Sequence, residues 1–178
     1  MGVTNRLFPT ENAPNGDVQR LAQLDAVADP EDVADPTTGK ADIDRAADFM
    51  RLLGPPPRGP LTASVSAGAA LFQQINCTTC HTPQMMTGPS AIGALNLKPV
   101  MLYSDLLLHD MGSLGDGIDQ GAAGINEMKT APLWGLRASA PYLHDGRAPN
   151  VDVAIKAHDG EGKAARDRYL KLTQQQKQ

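Results

Sequence analysis

Cys77-Thr78-Thr79-Cys80-His81 holds both cysteines of this 178-residue chain and one of its four histidines. The spacing is C-x-x-C-H, the attachment pattern of c-type haem. Random placement of the same residues produces it in only about one arrangement in 4,000. The chemistry explains the spacing. Each thiol adds to one haem vinyl group and becomes a thioether. Two intervening residues let Cys77 and Cys80 reach vinyls on neighbouring pyrrole edges. The next residue then sits under the iron, so His81 is expected as the proximal ligand. One covalent haem c is the cofactor this reading implies. Three rival readings are weaker. A disulfide would leave His81 a coincidence. A thioredoxin-like pair needs a βαβ pattern, which is missing. A zinc site needs two further ligands at suitable spacing.

Composition agrees with a cofactor inside the chain. Hydrophobic residues make up 41% of it but aromatic residues only 4%. A large flat apolar haem would stand in for the missing rings, as bound metals support other small folds. Gly 17 and Pro 14 imply much loop. No apolar run approaches the roughly 20 residues of a membrane-spanning helix. The opening Met1-Gly2-Val3-Thr4-Asn5-Arg6 shows no basic start followed by an apolar stretch, so no signal peptide is visible. The formal net charge is −4, which argues against nucleic acid as the main partner. The charge is uneven. Residues 1–128 carry 7 Lys/Arg against 15 Asp/Glu, and residues 129–178 carry 9 against 5.

Outward from the motif, residues 64–76 read as a helix with Ser64 or Ser66 as cap. Val65, Ala69, Phe72 and Ile75 form its apolar stripe. It runs straight into Cys77. Upstream, Pro55-Pro56-Pro57-Arg58-Gly59-Pro60 is a stiff linker, preceded by a helix over 41–53 ending at Gly54. Residues 1–40 read as an extended acidic arm with one short helix over 17–28. Downstream, 82–102 reads as loop and 105–110 as a short helix capped by Ser104. Residues 131–136 read as one helical turn after Thr130. Asn150 caps a helix over 151–158, and 163–173 forms the last one. No β alternation stands out. The expected fold is mainly α: an arm over 1–60, then a cytochrome c-like helical domain over 61–178 around one covalent haem.

The ligand opposite His81 governs function. Methionine suits electron transfer, and an open position suits oxygen or peroxide chemistry. Met85 and Met86 follow His81 too closely to round the haem. Met101, Met111, Met128, His109, His144 and His158 lie far enough along. Met111 is favoured, because it sits where a short predicted helix meets Gly112. His109 and His144 are the alternatives.

Three further stretches carry a resemblance. They are Leu102-Tyr103-Ser104-Asp105-Leu106-Leu107-Leu108-His109-Asp110-Met111-Gly112, Thr130-Ala131-Pro132-Leu133-Trp134-Gly135-Leu136 and Tyr142-Leu143-His144-Asp145-Gly146-Arg147-Ala148. Together they resemble the di-haem oxidoreductase family, whose members are labelled peroxidases or thiol oxidoreductases. That family is distantly similar to bacterial di-haem cytochrome c peroxidases. Its members carry a second C-x-x-C-H in an N-terminal haem domain, whereas this chain has one and resembles the C-terminal half. In the peroxidases the C-terminal haem transfers electrons and the N-terminal one meets peroxide. The resemblance therefore implies a c-type cytochrome that carries electrons as partner or subunit of a larger redox system. The alternative is a peroxidase-like or thiol oxidoreductase acting with a second haem domain. Trp134, Tyr142 and Arg147 are candidate haem-pocket residues. No catalytic residue is assigned. The implied partners are a redox protein or a second haem domain, and covalent haem implies a periplasmic or other extracytoplasmic home.

Overall fold

A computed structural model describes residues 4, 5, 7–27 and 32–177. Residues 1–3, within the opening stretch that shows no signal peptide, lie outside it, as does Ala28 at the end of the 17–28 helix expected in the arm. The chain divides into two compact units: 1–55 with 118–125, and 56–117 with 126–178.

In the first unit, α1 spans Val18–Leu24 and α2 spans Asp42–Leu52. The Asp17 carboxylate accepts from the Arg20 N–H at 2.9 Å and so caps α1. Asp44 accepts from the Ala41 N–H at 3.1 Å at the start of α2. The segment 118–125 joins this unit through Asn15, whose side chain accepts from the Asp119 N–H at 2.7 Å.

In the second unit, α3 spans Ala63–Gln74, α4 Val151–Ala157 and α5 Lys163–Leu170. Thr62, rather than either predicted serine, caps α3 through its side chain. Asn150 caps α4 as expected, accepting from the Val153 N–H at 3.0 Å. Helices α4 and α5 pack on each other, and the Tyr169 hydroxyl donates to Asp152 across them at 2.8 Å. Strands β1 (Met85–Met86) and β2 (Pro99–Val100) form one antiparallel pair. Strands β3 (Leu108–Asp110) and β4 (Glu127–Lys129) form another, with His109 opposite Met128.

These elements correct the expected mainly α class. Among the described residues the five α-helices run only 7 to 12 residues. They share the chain with short 3-10 turns, two small sheets and long irregular stretches. The physical reason is clearest at 105–110, read as a helix from its leucines. The Ser104 hydroxyl accepts from the Leu106 N–H at 2.9 Å, and the Asp105 carboxylate accepts from the Leu107 N–H at 3.0 Å. These side chains take the amide groups that a helix would need. Leu106 turns left-handed at φ 63, and the chain leaves extended as β3.

The apolar core is thin. Ile75, Leu102, Leu114, Ala148 and Tyr169 are the buried hydrophobic residues described in the second unit. Leu106, Leu107 and Leu108 stay partly exposed.

Candidate haem site

The site begins where α3 ends. Asn76 adopts a left-handed conformation at φ 66 and turns the chain into the 3-10 turn Cys77–Thr79. The His81 N–H donates to the Cys77 carbonyl at 3.0 Å, which closes the C-x-x-C-H loop on itself. Cys77 and Cys80 are half-buried thiols. Burial pushes the Cys77 thiol up, with a smaller push from Cys80. Burial also raises Cys80, helped by the charges of Asp105 and Glu161. A reactive redox pair needs a stabilised thiolate, so this setting is the wrong one for thioredoxin-like chemistry.

A second stretch runs beside the motif and orients it. The Asp105 N–H donates to the Cys80 carbonyl at 2.9 Å, and the Ser104 N–H to the Thr82 carbonyl at 3.0 Å. Ser104 is fully buried, and its hydroxyl donates to the Thr130 carbonyl at 2.7 Å. This ties the stretch to the chain just beyond β4. Tyr103 is held left-handed at φ 55, a conformation that costs a non-glycine residue about 1 kcal/mol or more. Its carbonyl accepts from His81 Nδ1 at 3.0 Å. A carbonyl only accepts, so the proton sits on Nδ1 and the lone pair of the neutral ring lies on Nε2. Burial holds His81 below its usual pKa, against the opposing Tyr103 hydrogen bond. A neutral imidazole with an anchored Nδ1 is the form that binds metal.

The ring that faces His81 belongs to His158. The two ring centres lie 6.4 Å apart. His158 stands at the C-terminal end of α4, and its Nδ1 donates to the Ala154 carbonyl at 2.9 Å. Among the described residues neither Nε2 makes a hydrogen bond. Two imidazoles bound to one metal at about 2 Å each place their ring centres about 6 Å apart. Donor type, tautomer and separation therefore fit one iron held between His81 and His158.

Several features hold His158 there. The Arg166 guanidinium donates to its carbonyl at 2.8 Å. Asp159 accepts from the Ser113 hydroxyl at 2.8 Å. Gly160, at φ 52, lies so close to β3 that a Cβ would come within 2.2 Å of the Asp110 carbonyl. Only glycine lets this turn seat against β3.

The other expected site residues are placed as follows. Met111 lies beside His158. A Cβ on Gly162 would meet Met111 Cε at 3.1 Å and the His158 ring at 3.3 Å. His109 donates from Nε2 to Asp105 and from Nδ1 to Glu161, each at 2.9 Å. Hydrogen bonds to Glu161 first and Asp105 second raise its pKa, which favours the imidazolium and leaves no lone pair for iron. Cys80, Asp105 and His109 offer ligand atoms within 4.8 Å of one another, but this double carboxylate clamp already occupies the His109 nitrogens. His144 is exposed on a turn. The neighbouring Arg147 pairs with Asp145, and the Tyr142 hydroxyl donates to the Leu136 carbonyl. The Trp134 indole donates to the Met101 carbonyl at 2.7 Å and is 38% exposed. From sequence, His158 is among the residues far enough along, but Met111 is favoured, with His109 and His144 as the alternatives; His158 stands apart only in the structure. Its signal was a histidine at the end of an Asn-capped helix, just before Asp159-Gly160.

Comparison with known proteins agrees with the motif. The profile of the family described as "Di-haem oxidoreductase, putative peroxidase" matches residues 1–178. A cytochrome c peroxidase of Escherichia coli K12 is 29% identical over 96 residues, which are 54% of this chain and 20% of that protein. The chain thus spans a small part of that relative's length. No solved structure matches. With its C-x-x-C-H turn and a family profile covering its full length, the chain belongs to the di-haem oxidoreductase family.

Proposed function

We propose that this chain is a c-type electron-transfer module that would hold one haem through Cys77 and Cys80, with His81 and His158 as the residues that would hold its iron. The observation that carries the reading is the His81–His158 pair, 6.4 Å apart with each Nδ1 tied to a backbone carbonyl. Haem c supplies one-electron exchange at its iron. The residues of the chain do the rest. The Tyr103 and Ala154 carbonyls hold both imidazoles in the metal-binding tautomer. With both histidines engaged, this module would carry electrons and leave peroxide chemistry to a second haem domain, the partner that the family supports. Phe72 packs 6.2 Å from the His81 ring and shields it from water on the α3 side. A covalent haem would imply a periplasmic or other extracytoplasmic home. Among the described residues no helix is long and apolar enough to cross a membrane.

The test is the ferric protein. Haem stain should stay with the polypeptide in denaturing electrophoresis. Optical and electron paramagnetic resonance spectra should show a low-spin iron without the weak red-edge band of methionine ligation. A high-spin spectrum would sink the two-histidine assignment and favour the peroxidase-like alternative.

A further inference from the structure

On the Nδ1 side of His81, a cleft of about 340 Å³ opens between the Pro56–Gly59 linker and the Trp134–Arg137 segment. Two arginines flank it. The Arg58 guanidinium stands 5.6 Å over the Tyr103 ring and donates to its hydroxyl at 3.2 Å. Arg137 lies exposed along the linker and donates to the Pro57 carbonyl at 3.4 Å. Among the described residues neither guanidinium has a carboxylate within 4 Å, whereas Arg45, Arg51, Arg147 and Arg166 all do. No Asp or Glu lines the cleft. Trp134 lines the same cleft with both arginines and is 38% exposed.

The same cleft is joined to His81. His81 Nδ1 donates to the Tyr103 carbonyl, the backbone continues through Leu102 to Met101, and the Met101 carbonyl accepts from the Trp134 indole. Two short hydrogen bonds and a stretch of backbone therefore link the histidine to an exposed aromatic ring. The Tyr103 carbonyl meets Nδ1 and not Nε2, so this link leaves from the ring nitrogen other than the one that would hold the iron.

We propose that this cleft is the docking surface for a protein electron carrier that presents an acidic patch around its redox centre, with Trp134 as the contact point for electron transfer. The proposal rests on the electron-carrier reading above. Carboxylates of the partner pair with Arg58 and Arg137, and an apolar part of its surface covers Trp134. When this chain is the donor, one electron passes per encounter. A haem held by Cys77, Cys80 and His81 would supply that electron on going from ferrous to ferric, and the partner's one-electron metal centre would be reduced by it. No bond breaks and no proton moves.

The test uses the haem-loaded protein. Trp134 is the only tryptophan, so one indole N–H resonance reports the cleft in labelled protein. Titration with hexaglutamate should shift that resonance saturably. The affinity should fall at least about tenfold between about 20 and 200 mM salt. Hexalysine should leave it unmoved. Ferricyanide, an anionic one-electron oxidant reduced to ferrocyanide, should oxidise the ferrous protein. The double variant Arg58→Gln/Arg137→Gln should slow this about fivefold or more at low salt. Arg58→Lys/Arg137→Lys should keep most of the rate. An indole resonance insensitive to hexaglutamate would overturn the proposal, as would a rate that the glutamines leave within about twofold. So would a glutamine variant that loses haem or shifts its midpoint potential, since the arginines would then clamp this chain's own haem carboxylates. A ferrous protein that reduces neither ferricyanide nor cationic cobalt(III) tris-phenanthroline would remove the carrier reading itself, and the docking proposal with it.

Discussion

At the scale of single residues, His158 and Met111 separate by chemistry although they touch the same glycine. An imidazole whose Nδ1 is held by a carbonyl has one donor atom in one direction. A thioether on a flexible side chain has no such anchor. His158→Met should therefore add the weak red-edge band and raise the midpoint potential, because methionine favours the ferrous state. His158→Ala should turn the ferric spectrum high-spin and open a position for peroxide. Met111→Ala should leave the low-spin spectrum as it is and lower stability by about 1 kcal/mol, less than for a fully buried methionine. A high-spin Met111→Ala variant would show that the sulfur holds the iron. The C-x-x-C-H motif is legible directly, because Cys77, Cys80 and His81 lie within five consecutive residues and their chemistry sets their spacing. The proposed second histidine is not. His158 follows His81 by 77 positions, and nothing local distinguishes it from His109 or His144. What sets His109 apart is Glu161, which reaches its second nitrogen from a distant turn.

At the scale of elements, the two helices that lead to the motif turn and to His158 are short and depend on their caps. Thr62 caps α3, which ends at the haem turn. Thr62→Ala should cost about 1 kcal/mol in chemical denaturation. Tyr169 joins α5 to α4, the helix that leads to His158. Burial, then the hydrogen bond to Asp152, push the Tyr169 pKa up from 10.0 to about 12. The folded state thus favours the protonated phenol. Its contribution is complete below pH 10 and disappears as pH rises through about 12. Tyr169→Phe should cost about 1 kcal/mol at neutral pH and reduce the loss of stability between pH 10 and 12. An unchanged alkaline transition would show that another group governs it. The 41–53 and 151–158 helices were legible because apolar spacing, caps and terminating glycines agree there. The 105–110 segment was misread because its leucines follow a helical pattern while Ser104 and Asp105 bind the local amides. Helix or strand then depended on pairing with β4, which lies across a loop.

For the whole molecule, the thin core of the second unit is the central fact. Five buried hydrophobic residues among those described are too few to hold 56–117 and 126–178 on their own, and partly exposed Leu106, Leu107 and Leu108 border the motif stretch. The proposed haem would then act as part of the core, and its attachment would be linked to folding. Cys77→Ala/Cys80→Ala protein, produced without covalent haem, should melt at least about 10 °C lower than the loaded protein, equivalent to about 3 kcal/mol. It should also bind apolar dyes. Equal melting of the two forms, followed by circular dichroism, would show that the chain builds its core without the cofactor. The low aromatic content already pointed this way, since a haem replaces rings that the sequence does not supply.

The attachment chemistry of this chain is local. Thioether reach and the place of the next histidine depend on a few bonds, so Cys77, Cys80 and His81 point to the proposed cofactor before any fold is known. Family membership follows in the same way from contiguous stretches. The second imidazole, the clamp on His109 and the cleft beside Trp134 are different. Each arises where segments far apart in sequence meet, and the meeting is governed by glycine-permitted contacts, buried hydrogen bonds and strand pairing. Those forces act on distances in space, so only the folded chain decides which histidine stands beside His81.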